Sequence, residues 1–385
     1  MPTSGKILIV AGEASGDKHA ASLVEALQDL AGGELHFVGS AGPKMRAAGV
    51  SAVVEADRLS IMGLLEVAGA LPMFLAAMRK LTEAAAAERP DAAVLVDFPE
   101  FNLKLAKKLR KLGVPVVYYI SPQVWAWREY RVEALKRDVE LLLTILPFEK
   151  EWYERRGLEH VEYVGNPLAR EVFATRSRED LAKEHQLDAE RPIIALLPGS
   201  RHKEIVRILP VLLETAKLLA GNDAARQFIV PLAAEKDRPD AERFIAAAGV
   251  PVKVAVGQTY DVLNASDAAA VTSGTATLEA GIIGTPMAVV YKTSSLNYKL
   301  FVPLISVEHY GLINLIAGER IVKEFLQDEF TPQTLADEIE RLLIPDVNRE
   351  VRAKLKEAAE KLGHGGASKR AAEAILKLIG LRPAQ

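Results

Sequence analysis

The sequence predicts an α/β fold of two doubly wound parallel-sheet (Rossmann-like) domains facing a cleft, and three observations carry that prediction. The chain has 385 residues, beyond the roughly 250–300 at which a single hydrophobic core stops growing. Short, continuous apolar runs alternate with stretches of helical periodicity, the pattern left by strands buried on both faces under crossover helices. The alternation then restarts after a polar interruption, so a second unit of the same kind follows the first.

In the first series, residues 7–11, 35–38, 93–97, 114–120, 141–146 and 161–164 read as strands, and 18–30, 64–88 and 101–112 as helices. Gly165-Asn166-Pro167 and the charged stretch 175–191 break the pattern. Strands resume at 193–197, 227–230, 252–256, 268–271 and 287–290. After Phe330 only helical patterns remain, at 334–343, 349–362 and 368–379. The expected domains are therefore 1–167 and 168–348, followed by the helices of about 349–385. Ligands of open parallel sheets bind beyond the carboxyl ends of the strands, so the strand-to-helix loops there are the places to look for function.

Composition narrows the classes. A hydrophobic fraction of 49% with 26% charged residues is ordinary globular composition. A net charge of −3 gives no electrostatic reason to expect a nucleic-acid partner. The absence of cysteine excludes disulfides, thiolate metal sites and a cysteine nucleophile, and agrees with a reducing compartment. The seven histidines are scattered without metal-ligand spacing, so no metal site is expected. Met1 to Lys6 pass straight into an apolar strand without a signal-peptide pattern, which predicts a cytoplasmic location. The longest charge-free apolar run, 67–78, contains Pro72 and is shorter than the ~20 residues that span a bilayer.

Four strand-to-helix loops carry chemistry. Gly12-Glu13-Ala14-Ser15-Gly16-Asp17 has glycines for tight turns but not the dinucleotide-binding spacing; its acids favour sugar hydroxyls over phosphate. A plain capping turn, with Ser15 or Asp17 as the cap, fits it equally. Asp97, after an apolar strand and before Phe98-Pro99-Glu100-Phe101-Asn102, stands where desolvation raises a carboxylate toward a useful base. Glu100 reads as a structural residue favoured by the helix dipole. Leu197-Pro198-Gly199-Ser200-Arg201 combines a flexible backbone, a hydroxyl and a guanidinium fork suited to diphosphate oxygens. Ser273-Gly274-Thr275-Ala276-Thr277-Leu278-Glu279 opens a helix with small residues, an anion site, and places Glu279 one turn inside for ribose hydroxyls. Together the last two loops suggest a nucleoside diphosphate. Trp125 and Trp127 read as packing between domains ahead of stacking on a sugar, and Asn314 as either a satisfied core amide or a ligand contact.

Taken in order, these strings resemble those of the lipid-A-disaccharide synthase family, bacterial glycosyltransferases of GT-B architecture: residues 11–17, 39–45, 62–63, 97–102, 121–127, 146–149, 197–201, 273–279 and 314–318. The resemblance covers nearly the whole chain, and it implies that the helices of about 349–385 partly rejoin the first domain. It implies transfer from UDP-2,3-diacylglucosamine to 2,3-diacylglucosamine 1-phosphate, inverting, with no metal or organic cofactor. It implies Asp97 as base, Arg201 and the helix start near Thr275 on the departing diphosphate, and Glu279 on ribose. Glu13, Ser15, Asp17, Gly199, Ser200, Ser273, Gly274 and Asn314 would line the substrate pocket. Acylated substrates imply a peripheral contact with the cytoplasmic face of the inner membrane through Met62, Leu64, Leu65, Met73 and Phe74. An oligomer is compatible with the family. One departure is Asn166 with Arg170, where the family carries a histidine followed by an acid; Arg170 then becomes a candidate for the acceptor phosphate. The competing classes are a UDP-sugar 2-epimerase and a non-catalytic nucleotide-sugar sensor.

Overall fold

The computed structural model describes residues 4–57, 67–294 and 307–381. It forms two compact units, Met1–Pro167 with Gly365–Gln385, and Leu168–His364. Each is a doubly wound parallel sheet between helices.

The first unit holds β1 (Ser4–Val10), β2 (Glu34–Ala41), β3 (Ser51–Glu55), β4 (Ala92–Val96), β5 (Val116–Tyr119), β6 (Leu141–Thr144) and β7 (Val161–Tyr163), in the order β3-β2-β1-β4-β5-β6-β7 with every pair parallel. Successive side chains of a strand point to opposite faces, and both faces are buried. Ile7, Ile9, Val94 and Val96 join one core cluster, whereas Leu8, Val10, Ala93 and Leu95 join another. The first cluster includes residues of the helices Ala14–Leu30 and Ala367–Leu378; the second includes residues of Val67–Glu88 and Pro99–Lys111. Ala371 and Ile375 of the C-terminal helix are wholly buried. A buried isoleucine contributes about 1.5–3 kcal/mol, so this helix closes the core of the first unit. Arg370 also ties it down by donating to the Val164 carbonyl at 2.8 Å. The preceding helix, Pro345–Glu360, belongs to the second unit, where Arg352 donates to the Gly284 and Ser266 carbonyls at 2.8 and 3.1 Å.

The second unit holds β8 (Ile193–Leu197), β9 (Gln227–Leu232), β10 (Val252–Val256), β11 (Ala268–Thr272), β12 (Met287–Tyr291) and β13 (Glu324–Leu326), in the order β10-β9-β8-β11-β12-β13, again parallel throughout. The apolar pattern does not reveal β3 or β13. Both are edge strands, paired on one side only, and need no continuous apolar run. β5 is shorter than its apolar run because Pro115 has no N–H to donate and Ile120 turns to φ +65°.

The strand order reverses at the same place in each sheet. β1 has β2 on one side and β4 on the other; β8 has β9 on one side and β11 on the other. Right-handed crossovers then place helices on opposite faces either side of the reversal, and the loops part beyond the carboxyl ends. The loops that part are those starting at Gly12 and Asp97 in the first unit, and at Pro198 and Ser273 in the second.

Candidate active site

In the first unit the chain leaves β4 through two successive residues in the left-handed region, Asp97 at φ +47° and Phe98 at φ +51°, before Pro99 opens the next helix. Such a conformation costs on the order of 1–3 kcal/mol for each non-glycine residue and persists only where neighbours over-determine it. The Asp97 amide donates to the Tyr119 carbonyl at 3.0 Å. The Phe98 ring stacks on Phe101, with centroids 5.6 Å apart, and leans on Phe74 at 6.1 Å. It also lies against Gly12, where a Cβ would fall 2.2 Å from a ring carbon. Only glycine allows that approach, which brings the loop after β1 beside the loop after β4. Burial lifts the Asp97 carboxyl to about 6; the nearby Glu13 charge adds to the lift, and a hydrogen bond from the Phe98 backbone works against it. A carboxyl with a pKa near 6 is able to accept a proton near neutral pH.

Glu13 and Ser15 are exposed at this end of the sheet, as a substrate contact requires. Asp17 is not available. It is 4% exposed, and its carboxylate accepts N–H bonds from Gly42, Met45 and Lys44 at 2.8, 3.1 and 2.9 Å. The expected ligand is instead the clamp on the short helix Pro43–Ala47. Nor does Ser15 or Asp17 cap its own helix, whose first residue is preceded by Glu13 without a side-chain bond. Local spacing gives no sign of a partner more than 20 residues away.

Glu100 is structural: both Arg131 (2.7 and 2.9 Å) and Arg128 donate to it. Trp125 is buried and donates through Nε1 to Glu149 at 2.9 Å. Glu149 also accepts from Ser121 and from the Ile145 and Leu146 amides, fastening the loops after β5 and β6 together. Trp127 carries the Arg128 guanidinium over its ring at 3.9 Å. Arg170 is exposed and Asn166 is buried.

In the second unit, a cavity of about 670 Å³ gathers both predicted anion loops: Gly199, Ser200 and Arg201 from one, Ser273, Gly274, Thr275 and Glu279 from the other. That volume suits a drug-sized or nucleotide-sized ligand. Thr272 donates to the Leu197 carbonyl at 2.8 Å and so locks the ends of β8 and β11 side by side. Glu204, one turn into the helix His202–Asn222, shapes the first loop. It accepts the Ser200 and Arg201 amides at 3.2 Å each and the Arg201 guanidinium at 2.9 Å. Gly199 sits at φ +107°, where a Cβ would fall 2.5 Å from a Glu204 oxygen. Gly274, at φ +145°, leads into the helix Thr275–Ile283, whose first turn carries no acidic residue, leaving its positive end to an anion. Ser273 is partly committed, donating to the Tyr310 carbonyl at 2.8 Å.

Glu279 accepts from the Tyr260 hydroxyl at 3.0 Å, which fixes the carboxylate on the cavity wall. Burial, and then the Glu279 charge, hold the Tyr260 phenol above its ordinary range, so it stays a donor. Glu204 acts locally, on amides three and four residues before it in the capping box of its own helix, whereas Tyr260 reaches Glu279 from another helix, a contact that local spacing does not reveal. Asn314 has the partners of a satisfied core amide. It is wholly buried, exchanges two bonds with the Val322 backbone and donates to Glu324 at 2.8 Å. Glu324 in turn holds the Tyr310 and Gly311 amides at 2.9 Å each.

Of the expected membrane residues, Met62, Leu64 and Leu65 lie outside the described residues. Met73 and Phe74 are half-buried and pack against the core. The same helix exposes Leu71 and Leu75, at 55% and 61%, followed at helical spacing by the exposed Arg79. Among the described residues, no helix is long and apolar enough to cross a membrane, and no group of histidine and acidic side chains could hold a metal ion.

The model of a family described as lipid-A-disaccharide synthetase matches residues 7–379. A Myxococcus xanthus (strain DK1622) protein named lipid-A-disaccharide synthase is 45% identical over 384 residues, covering 98% of this chain and 99% of its own. Its namesake from Geobacter metallireducens is 44% identical over 376 residues, covering 97% of each. Among solved structures, the UDP-GlcNAc 2-epimerase of Neisseria meningitidis bound to UDP-GlcNAc superposes with a TM-score of 0.65 at 15% identity, covering 97% of this chain and 100% of that one. The calicheamicin glycosyltransferase gives 0.58 at 18% identity, covering 98% and 99%. At those identities the structural likeness shows a shared GT-B-type fold.

The raised carboxyl has a consequence for stability. A folded-state pKa of about 6, above the unfolded value near 3.8, means the penalty is absent below pH ~4, grows as pH rises through 6, and then stays constant. At one pKa unit per ~1.4 kcal/mol the penalty is on the order of 3 kcal/mol as an upper bound. Asp97→Asn is therefore expected to raise the urea midpoint at pH 7, with the gain shrinking toward pH 4; an equal or lower midpoint at pH 7 contradicts the buried-charge reading.

Proposed function

This chain belongs to the lipid-A-disaccharide synthase family and is a glycosyltransferase, and we propose that it joins UDP-2,3-diacylglucosamine to 2,3-diacylglucosamine 1-phosphate, giving the β-1,6-linked disaccharide 1-phosphate and UDP. The observation that carries this reading is the Asp97 carboxyl, strained, desolvated and raised to about 6 at the reversal point of the first sheet. As the carboxylate it takes the proton from the acceptor 6-hydroxyl. That oxygen bonds to the anomeric carbon while the bond to the β-phosphate oxygen of UDP breaks on the opposite face, inverting the centre.

The diphosphate gathers charge as it leaves. Arg201 and the amides at the start of the helix from Thr275 meet that charge, a task a divalent cation performs in other transferases, so no metal is needed. The Arg201 side chain is 82% exposed, and its pairing with Glu204 is of the solvent-screened kind worth about 0–1 kcal/mol. A doubly charged diphosphate displaces such a partner. Glu279, held by Tyr260, accepts the ribose hydroxyls, and Glu13 and Ser15 meet sugar hydroxyls.

Both sugars carry acyl chains, which places the reaction at the cytoplasmic face of the inner membrane. Leu71 and Leu75 are exposed, as are Arg79 and Lys80 of the same helix and lysines 104, 107 and 108 of the neighbouring helix, and exposed apolar and cationic side chains are what a peripheral protein presents to anionic lipid.

Mixing the protein with both acylated substrates and a chelator is expected to yield UDP and disaccharide by mass, and Asp97→Asn to lower kcat by about 10²–10⁴-fold. With the donor alone the sugar is expected to stay unchanged. Epimerised donor, or bound UDP-sugar without product, would favour the isomerase or the sensor instead. For the membrane surface, Leu71→Ser with Leu75→Ser is expected to weaken flotation with anionic liposomes at unchanged UDP affinity; undiminished flotation would remove the surface from the account.

A further inference from the structure

The left-handed pair Asp97-Phe98 is held by more than ring packing. The Asp97 carbonyl oxygen accepts two side-chain hydrogen bonds, from Asn102 Nδ2 at 2.7 Å and from the Tyr118 hydroxyl at 2.7 Å. The donors come from different elements, Asn102 from the first turn of the helix Pro99–Lys111 and Tyr118 from β5. Asn102 Nδ2 also donates to the Val96 carbonyl at 3.2 Å, so one amide grips the last residue of β4 and the first of the turn. Both side chains are wholly buried.

For core packing alone, these polar groups are poor choices. Asn102 Oδ1 is buried with no hydrogen-bond partner among the described residues, an uncompensated desolvation that leucine would avoid. Phenylalanine would fill the place of Tyr118 without a hydroxyl to satisfy. What the two polar groups share is a single acceptor, the main-chain oxygen of Asp97.

We infer that Asn102 and Tyr118 are positioning residues for the transfer step, acting jointly through the Asp97 carbonyl to keep its peptide in the left-handed turn. The inference rests on the reading of Asp97 as the base. Released from this grip, the 97–98 peptide relaxes toward an ordinary conformation, and the carboxyl moves out of its buried place toward water. Misplacement of a reacting group by about 1 Å costs up to about 10²-fold in rate, and a solvated carboxyl loses the desolvation that raised its pKa.

The test compares Tyr118→Phe, Asn102→Ala and their combination with wild type and Asp97→Asn, reading kcat, both KM values, the acid limb of kcat/KM and the melting temperature. Each single variant is expected to lower kcat roughly tenfold and the combination more, with both KM values within about twofold. The acid limb is expected to move to lower pH, a shift that general loss of stability does not produce. Tyr118→Phe removes one oxygen atom and carries the test alone if Asn102→Ala does not fold. Wild-type kcat and acid limb in the variants, with Asp97→Asn inactive, overturn this inference and leave the base standing. A lowered kcat with the acid limb unmoved also overturns it. Full activity in Asp97→Asn removes the base reading and this inference with it.

Discussion

The site depends first on the reversal of strand order in each sheet. A parallel sheet buried on both faces leaves few places where backbone groups and polar side chains can gather without burial. Between β1 and β4, and again between β8 and β11, the crossovers diverge to opposite faces, and the loops beyond those strand ends are free to carry polar chemistry. Every residue assigned to base, diphosphate or ribose lies on one of the loops after these four strands or in the first turns of the helices that follow. Thr272 on the Leu197 carbonyl and Gly12 under the Phe98 ring keep each pair of loops in register.

The acids near these loops separate by how many donors their carboxylates receive. Asp17 accepts three backbone amides, Glu149 two amides and two side-chain donors, and Glu324 two amides and a side-chain amide. Saturated in this way, a buried carboxylate is a fastener: Asp17 for a short helix, Glu149 for the loop bearing the tryptophans, Glu324 for the Tyr310-Gly311 turn. Asp97 is different. The side-chain donors around it go to its carbonyl, while among the described residues the Phe98 backbone is what lowers the carboxyl pKa against burial and the Glu13 charge. The fold spends stability on strain and desolvation at one residue and recovers it through the ring cluster and the buried strands on both sides. That trade is the usual mark of a functional site.

Much of this was legible in the sequence because the strong signals are local. Continuous apolar runs of central strands, glycines in strand-to-helix loops and an acid at the end of a buried strand are each defined within a few residues, and the two-sheet architecture and the loops at Asp97, Gly199 and Ser273 follow from them. Edge strands β3 and β13 escaped because no residue of β3 is buried and β13 is only three residues long and begins with an acid, which leaves a weak pattern. The partners of Asp17 and Asn314, the amides at 42–45 and the Val322-Glu324 edge, are set by the fold, so local spacing does not tell a buried fastener from a pocket residue at either place. For the same reason Tyr260 and Tyr118 gave no local signal, since each matters through a contact with a residue on another element, whereas Glu204 and Asn102 act on backbone only three to six residues away. Met73 and Phe74 share a helix with Leu71 and Leu75, and the apolar run alone does not tell which of them face the core.

The central claim is that Asp97 is held as a desolvated carboxyl ready to accept a proton, and its titration is the most direct test. Carbon NMR of the protein labelled at aspartate side-chain carboxyls, with Asp97→Asn to assign the resonance, follows that group without substrate or turnover. The account predicts a midpoint at about 6, moving down when Glu13→Gln removes the neighbouring charge. A midpoint near 4, the ordinary aspartate value, would contradict it and leave the strained turn without the chemistry assigned to it.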